Sequence, residues 1–447
     1  MVSKMLWHLL KYYLCFVIAV FFKRSQVKNA KYLKVKGPVI LAVNHPNAFM
    51  DPVALTTLVY PPRLYYLARG DAFKKGIITF LLESLGIIPI FRLQDGGKDG
   101  LKKNDETYKR VNYLLNRNKK IIIFAEGICI QERRLRPLKK GVARMVFGAM
   151  ESLNENNLTV VPVGINYTNP SHFRGSIFCN VGKPIPMVEY MNLYSQAPAK
   201  IMNQFLADLT ASMKNLIIHI NDKHNEDVIK HLEEIYKSNY FKKHHYQTKN
   251  LEYDFLFSNY VVDVINKQEE IQPDVIKQIK TKTTLYFKEL QQYQLKDWLI
   301  NPHNSHLIHS RTYLIRLFLI CLSFPIYISG VLGSYLPYKL TNFITSKKVK
   351  KNEFKDSFNM GIGALLFLIN YIIIFSISNL LLQNIWVALF TVCILIICSW
   401  GCLYLSPFRK KTWGISRVLK LKLSNPDALN RLTDKRKEII ALFEALT

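Results

Sequence analysis

The stretch that decides the fold is residues 38–52, PVILAVNHPNAFMDP. Its first part, residues 38–43, is an unbroken apolar run with the length of a buried strand. His45 follows in a turn that contains Pro and Asn, where an imidazole ring can reach a substrate. Asp51 lies six positions further on and can hold one ring nitrogen. The pattern predicts a general base for a hydroxyl, although a His and an Asp at this separation also occur by chance as surface residues.

Four further segments along the chain combine an apolar run with charged residues, Gly or Pro. They are residues 86–92 (GIIPIFR), 121–127 (IIIFAEG), 138–144 (LKKGVAR) and 160–167 (VVPVGINY). In this order the segments resemble the glycerolipid acyltransferase family, which includes the glycerol-3-phosphate and 1-acylglycerol-3-phosphate (lysophosphatidate) acyltransferases. The resemblance covers roughly residues 30–215, under half of the chain. Strands alternate with a predicted helix at residues 141–153, so we expect an α/β fold with a mixed sheet flanked by helices, as in glycerol-3-phosphate acyltransferases.

The resemblance implies a catalytic role for two residues. His45 would remove the proton from a glycerol hydroxyl as that hydroxyl attacks an acyl thioester, and Asp51 would orient the imidazole. The chemistry is consistent, because imidazole accepts a proton near neutral pH and a carboxylate fixes its tautomer. In this scheme the substrate itself is the nucleophile.

The resemblance also implies a substrate pocket formed by Arg92, Glu126, Gly127 and Pro162. Arg92 would bind the glycerol phosphate, because a planar guanidinium can donate two hydrogen bonds to a phosphate. Pro162 would lie on the acyl-chain side. Simpler interpretations exist: Arg92 as an exposed arginine at a strand end, Glu126 as a cap of the next turn, and Pro162 as a break at a strand edge.

The chain departs from the family pattern in two segments. Five residues separate His45 from Asp51 where four are common, a spacing similar to that of a yeast-like branch that acylates glycerol-3-phosphate or dihydroxyacetone phosphate. Ala125 replaces the usual Pro, and Ile128 with Cys129 replace the usual hydroxyl or Arg. Either the acceptor differs, or nearby arginines supply the missing phosphate contact. The candidates are Arg133, Arg134 and Arg136.

Composition narrows the class of protein. Sixty-one Lys and Arg against 32 Asp and Glu give a formal charge of +29, which suits nucleic acid or an anionic membrane surface. Long apolar runs favour the membrane, and no zinc-type spacing or RNA-binding motif supports nucleic acid. Seven cysteines without a C-x2-C pair argue against a disulfide framework. No metal or bound cofactor is predicted; acyl-CoA or acyl-ACP, the acylated form of acyl carrier protein, would be the co-substrate.

Three apolar runs near the carboxyl end have spanning length: residues 317–336, 362–382 and 385–405. Only Gln383 and Asn384 join the last two, which predicts a tight hairpin whose Lys- and Arg-rich outer ends face the cytoplasm. The first run contains Pro325, Gly330 and Gly333, so we predict that it forms either a bent, re-entrant hairpin or an even number of crossings. At the amino end, residues 5–22 are interrupted by polar side chains and predict an interfacial helix rather than a span.

The predicted organisation follows the chain in five parts. They are a membrane-docking helix at 1–29, an acyltransferase domain at 30–215, a polar helical region at 216–308, a transmembrane region at 309–411 and a basic amphipathic tail at 412–447. The tail should begin with a capping residue and an early Pro at residues 424–427.

The predicted function is acyl transfer to glycerol-3-phosphate in phospholipid biosynthesis by a multi-pass membrane protein whose catalytic domain faces the cytoplasm. The partners would be the lipid bilayer, the acyl donor and a glycerol phosphate or lysophospholipid. Lysophosphatidate is the alternative acceptor, and a non-phosphate acceptor or a non-catalytic lipid-binding scaffold are further alternatives. A bacterial inner membrane is favoured over an endoplasmic reticulum.

Overall fold

The computed structural model describes residues 2–59, 63–70, 73, 76, 79, 82–83, 85–91, 104–153, 157–168 and 173–447. The chain forms two compact units. One consists of Met1–His219 with Val349–Met360, and the other of Ile220–Lys348 with Gly361–Thr447.

The first unit is built on a mixed sheet. The described strands are β1 (Arg24–Lys28), β2 (Val39–Val43), β3 (Leu64–Arg69), β4 (Ile87–Ile90), β5 (Lys120–Phe124), β6 (Thr159–Tyr167), β7 (Ser176–Val181) and β8 (Ile185–Pro186). Their order is β1-β7-β6-β2-β5-β3-β4, and β8 pairs with β6. Strand β6 runs antiparallel to β7 and β8, while the other pairs are parallel. The predicted mixed sheet is confirmed.

Helices flank this sheet and complete its core. They are α1 (Val2–Phe21), α2 (Met50–Leu58), α3 (Asn104–Leu115), α4 (Lys140–Ser152), α5 (Val188–Tyr194) and α6 (Pro198–Lys214). The predicted helix at 141–153 is therefore confirmed as α4, whose apolar face packs into the main hydrophobic core. All five residues of β2 are buried, as expected for a central strand covered on both faces. The functional loop leaves the sheet from the end of this strand.

The second unit is helical over its described residues. Its elements include α7 (Glu226–Lys243), α8 (Leu251–Ile271), α9 (Pro273–Gln292), α10 (Asp297–Ile300), α11 (Ser310–Leu322), α12 (Phe324–Lys348), α14 (Ile385–Ser424) and α15 (Pro426–Glu444). Helix α13 (Asn352–Leu382) belongs to the first unit up to Met360 and to the second from Gly361.

The last helix begins as its sequence predicts. The Asn425 side chain accepts a hydrogen bond from the Ala428 amide at 3.0 Å, and Pro426 occupies the first helical position. Within its unit α15 is fixed by a buried ion pair, since Arg436 Nε lies 2.8 Å from an Asp297 carboxylate oxygen. This segment is thus an integral part of the second unit.

Two described helices are long and apolar enough to cross a membrane, Glu353–Leu382 and Ile385–Ser424. Gln383, at φ 49°, and Asn384 separate them, and the Asn384 side chain accepts hydrogen bonds from the Trp386 and Val387 amides. The two-residue connection is as predicted. Here a side-chain cap starts the second helix at once.

The first predicted span is broken. Helices α11 and α12 meet at Ser323 and are bent by 56°, so a third candidate span exists only if this bent pair is counted as one. The bend precedes Pro325, which sits in the first turn of α12, where its missing N–H needs no partner. Gly330 and Gly333 remain helical.

Candidate active site

The loop after β2 starts from a fixed anchor. The buried Asn44 side chain accepts a hydrogen bond from the Ile165 amide at 2.7 Å and donates one to the Ile165 carbonyl at 3.0 Å. These two bonds join the end of β2 to the neighbouring strand β6. The position of His45, the next residue, is therefore set by the sheet.

His45 and Asp51 are in direct contact. Nδ1 of His45 lies 2.8 Å from Oδ2 of Asp51, which is fully buried in the first turn of α2. A turn folds the intervening residues, with the Met50 amide donating to the Asn47 carbonyl at 2.9 Å and Ala48 at φ 27°. The five-residue spacing therefore still brings the imidazole and the carboxylate together.

Asp51 is held by donors besides His45. The Tyr167 hydroxyl donates to Oδ1 at 2.6 Å, and the Asn47 amide donates to Oδ2 at 2.8 Å. Burial, together with the neighbouring Asp51 carboxylate, raises the pKa of Tyr167 well above its ordinary value, so the phenol stays a donor. A carboxylate with three donors cannot rotate freely and fixes the ring that it orients.

The His45 side chain is partly exposed. The ring stacks on Phe124 with a centroid separation of 3.9 Å and 18° between the planes, and the side chain is 18% exposed. With Nδ1 donating to Asp51, Nε2 carries the lone pair. Within the described part of the chain, no hydrogen bond is made at Nε2. This nitrogen can therefore accept a proton from a substrate hydroxyl.

The Glu126 carboxylate accepts hydrogen bonds from two backbone amides, one of them in the loop that carries His45. Its Oε2 accepts the His45 amide and its Oε1 accepts the Arg136 amide, both at 2.8 Å. Burial raises the pKa of the carboxyl group, although the two amide donors act in the opposite direction. Both oxygens are thus committed to backbone amides, a geometry suited to positioning His45.

Gly127 continues the same turn with φ 65°, which favours glycine. A Cβ atom at this position would lie 2.9 Å from Cγ of Lys139. Lys139 and Lys140 are themselves exposed, which is consistent with a solvated face.

The arginine segment is organised by one carboxylate. Nε of Arg134 and a terminal nitrogen of Arg136 each lie 2.7 Å from the same Glu132 oxygen. Their side chains remain 32% and 28% exposed, and Arg133 is half-buried. One carboxylate cannot neutralise this many guanidinium groups, so the segment keeps a net positive charge.

Two predicted site residues, Pro162 and Arg92, remain to be placed. Pro162 is buried in β6, in register with Ala42 of β2, and so lies within the sheet rather than at its edge. Arg92 lies outside the described residues.

Cys129 is a structural neighbour of the loop. Its Sγ accepts a hydrogen bond from the Ala48 amide at 2.9 Å. Burial, reinforced by the Asp51 charge, raises the pKa of the thiol to about 12. A protonated thiol is a poor nucleophile, which agrees with a packing role.

Sequence reasoning missed Tyr167, Asn44 and Ser357 as contributors to the site. Tyr167 ends one of the quoted segments, but nothing in its sequence context pairs it with Asp51. Ser357 contacts the loop from about 310 positions away, through the segment Val349–Met360 of the same unit. Contacts at such separations leave no local pattern in one sequence.

Comparison with known proteins finds similarity to acyltransferases. Residues 24–166 match the sequence profile of the family described as Acyltransferase. Glycerol-3-phosphate O-acyltransferase 1 of Saccharomyces cerevisiae is 28% identical over 141 residues, covering 30% of this chain and 18% of that protein. Glycerol-3-phosphate O-acyltransferase 2 of the same yeast is 31% identical over 111 residues, covering 25% and 15%. The chain spans less than a fifth of the length of these two relatives.

Two more distant similarities extend further along the chain. An uncharacterized acyltransferase of Schizosaccharomyces pombe is 22% identical, covering 44% of this chain and 41% of that protein. The crystal structure of the 1-acyl-sn-glycerophosphate (LPA) acyltransferase PlsC from Thermotoga maritima aligns with a TM-score of 0.35 and 13% identity. That alignment covers 48% of this chain and 79% of the Thermotoga chain.

Proposed function

Because this chain belongs to the glycerolipid acyltransferase family through its acyltransferase domain at residues 24–166, we propose that it transfers a fatty acyl group from an acyl thioester to glycerol-3-phosphate. The observation that carries the proposal is the 2.8 Å contact between His45 and the buried Asp51. The choice of acceptor is supported by the names of the two yeast relatives. The proposed donor is acyl-CoA or acyl-ACP, the acyl thioester of acyl carrier protein.

The proposed reaction uses the open nitrogen of His45. Nε2 accepts the proton of a glycerol hydroxyl while the oxygen attacks the thioester carbonyl, and the imidazolium formed is stabilised by Asp51. The tetrahedral intermediate then expels the thiolate, which takes the proton back from Nε2. The products are the ester and the free thiol, and His45 is regenerated.

We propose that cationic side chains hold the acceptor phosphate. Arg92 is the candidate implied by the family pattern, and the segment with Arg133, Arg134 and Arg136 adds a second source of guanidinium groups. Backbone geometry supports a link between this segment and the base, because the amides of Arg136 and His45 donate to the two oxygens of Glu126. Glu126 and Gly127 would shape the pocket, and Pro162 would lie toward the acyl chain.

The test is acyl transfer by membranes that contain the full chain. The donor is labelled acyl-CoA or labelled acyl-ACP, and the acceptor is either glycerol-3-phosphate or 1-acylglycerol-3-phosphate. We expect wild type to acylate glycerol-3-phosphate and His45→Ala to lose about 10²–10⁴-fold in rate, the usual contribution of a general base. His306→Ala, at an exposed histidine, is the matched control and should keep its rate.

Each alternative has its own outcome in this assay. Product from 1-acylglycerol-3-phosphate alone would assign the other acceptor. Transfer that persists in His45→Ala would contradict the general-base role. A folded wild-type protein that acylates neither acceptor with either donor would contradict the proposed reaction.

We also propose a multi-pass membrane protein with its catalytic domain in the cytoplasm. The two apolar helices fit a membrane protein, and Lys347, Lys348 and Lys351 precede them. On α1, the side chains of Leu9, Tyr12 and Phe16 are exposed with the spacing of one helix face, which supports docking on lipid.

Reporter fusions test this orientation. A reporter after Lys351 should be active in the cytoplasm, and one inserted between Gln383 and Asn384 should lie on the opposite side. A reporter after Lys351 that is found outside the cytoplasm would overturn the arrangement.

A further inference from the structure

The start of the membrane helix α13 contacts the loop that carries His45 and Asp51. Ser357, in the part of α13 that belongs to the first unit, is 3% exposed. Its Oγ lies 3.1 Å from the Asn47 carbonyl oxygen and 3.2 Å from Asn47 Oδ1, and it accepts a hydrogen bond from the Met50 amide at 3.1 Å. One hydroxyl therefore reaches both ends of the turn between His45 and Asp51.

A hydroxyl suits this place because it donates and accepts at once. Its single proton can go to either Asn47 oxygen, while its lone pairs accept the Met50 N–H, which is also shared with the Asn47 carbonyl. The Asn47 amide in turn donates to the Asp51 carboxylate. Ser357 is thus one step removed from the group that orients the base.

The same segment makes further contacts around the loop. The rings of Phe354 and Phe358 pack edgewise on Phe49, with centroid separations of 6.2 and 5.9 Å. The Asp356 carboxylate accepts a hydrogen bond from the Gln131 side chain at 3.2 Å. Both loops that meet at His45, residues 44–49 and 125–131, are therefore contacted by the first turns of α13.

We propose that Ser357 is a positioning residue for acyl transfer, which holds the turn at Asn47–Met50 so that Asp51 orients His45. This inference rests on the proposed function. Ser357 does not touch the reacting atoms; it acts through Asn47 and Asp51. The first turns of α13 thereby have a role in catalysis as well as in membrane attachment.

The kinetic test compares Ser357→Ala with Ser357→Thr in the full-length protein. We expect Ser357→Ala to lower kcat about tenfold with KM values for donor and acceptor changed less than twofold, since the loss of hydrogen bonds of ordinary strength corresponds to about this factor. Ser357→Thr keeps the hydroxyl and should restore most of the rate. Ser376→Ala, in the same helix, is the matched control, because among the described residues the Ser376 hydroxyl donates to the Ile372 carbonyl alone.

A double variant separates positioning from general destabilisation. In the His45→Ala background, Ser357→Ala should leave the residual rate unchanged, because the base through which it acts is absent. A purely structural role would instead lower the amount of folded protein and leave kcat per folded molecule unchanged. That result, or equal kcat losses in Ser357→Ala and Ser376→Ala, would overturn the proposal.

Hydrogen exchange provides a readout that does not depend on the substrate. The peptide that contains residues 44–52 should exchange its amides faster in Ser357→Ala than in wild type, and as in wild type in Ser376→Ala. Unchanged exchange in Ser357→Ala would refute the role of Ser357 even if no acceptor were found. A wild-type protein that acylates nothing while the exchange difference is present would refute the proposed function alone.

Discussion

Cys129 illustrates how the surroundings of one side chain decide its chemistry. It lies beside the loop that carries His45 and Asp51, and burial, together with the Asp51 charge, raises the pKa of the thiol to about 12, so the protonated thiol predominates at pH 7. Because the pKa of the Cys129 thiol lies far above 7, the fraction of thiolate rises about tenfold for each pH unit below that pKa.

We therefore expect Cys129→Ser to retain most of the acyl-transfer rate, since a hydroxyl can still accept from the Ala48 amide. Modification of Cys129 by N-ethylmaleimide should be slow at pH 7 and accelerate about tenfold per pH unit over the range in which the protein stays folded. Mass spectrometry of the modified peptide measures this rate. Rapid labelling at pH 7, or loss of transfer in the Ser variant, would indicate a nucleophilic thiol.

At the scale of residues, the sequence predicts what is local. His45 and Asp51 are six positions apart, so one segment contains both the proposed base and the carboxylate that contacts it. Tyr167 donates to the same carboxylate from 116 positions away, and Ser357 contacts Asn47 across 310. Neither belongs to a pattern that one sequence can reveal, because their roles arise only when separate strands and helices meet.

At the scale of elements, helices α12 and α14 approach closely through small residues. A Cβ atom on Gly330 would lie 2.3 Å from the Cys398 carbonyl oxygen, and one on Gly333 would lie 3.2 Å from Leu395 Cβ and Ser399 Oγ. Close approach at small residues is typical of helix pairs in membranes. Gly361 of α13 has no described atom within 4 Å of the corresponding Cβ position.

We expect Gly330→Ala to destabilise the protein by roughly 1–3 kcal/mol, because the added methyl group meets backbone that cannot easily move. Gly361→Ala should be neutral or slightly stabilising, since alanine is the better helix former. Thermal unfolding of the full-length protein in detergent measures both. Equal transition temperatures for wild type and Gly330→Ala would show that the two helices are not tightly packed.

Hydropathy predicts the existence of these elements better than their ends. The apolar run at 317–336 is continuous in composition, so only Pro325 marks the break that the structure has at Ser323. Helix α13 begins ten residues before its apolar run, because polar residues of its first turns are buried against the loop of the first unit. Asp356 and Ser357 are 7% and 3% exposed. Such burial of polar side chains is invisible to a hydropathy scale.

At the scale of the whole molecule, neither compact unit is one continuous stretch of chain. Some elements of the first unit, among them β2 and α4, could be predicted from the order of the apolar segments, whereas β1, β3 and β7 were not. Which residues belong to this unit could not be predicted, because residues 349–360 are part of it although they lie between predicted membrane segments. Composition changes along the chain, whereas a unit is defined by contacts.

This arrangement also has a consequence for how the protein is made. Ser357 leaves the ribosome 312 residues after His45, which at ordinary rates of synthesis is a delay on the order of 15–60 s. During that time the strands up to Val181 can pair, while the turn at Asn47 still lacks its hydroxyl partner. In a nascent chain, the turn that positions His45 would therefore lack its hydrogen bonds to Ser357 until the start of α13 has been translated.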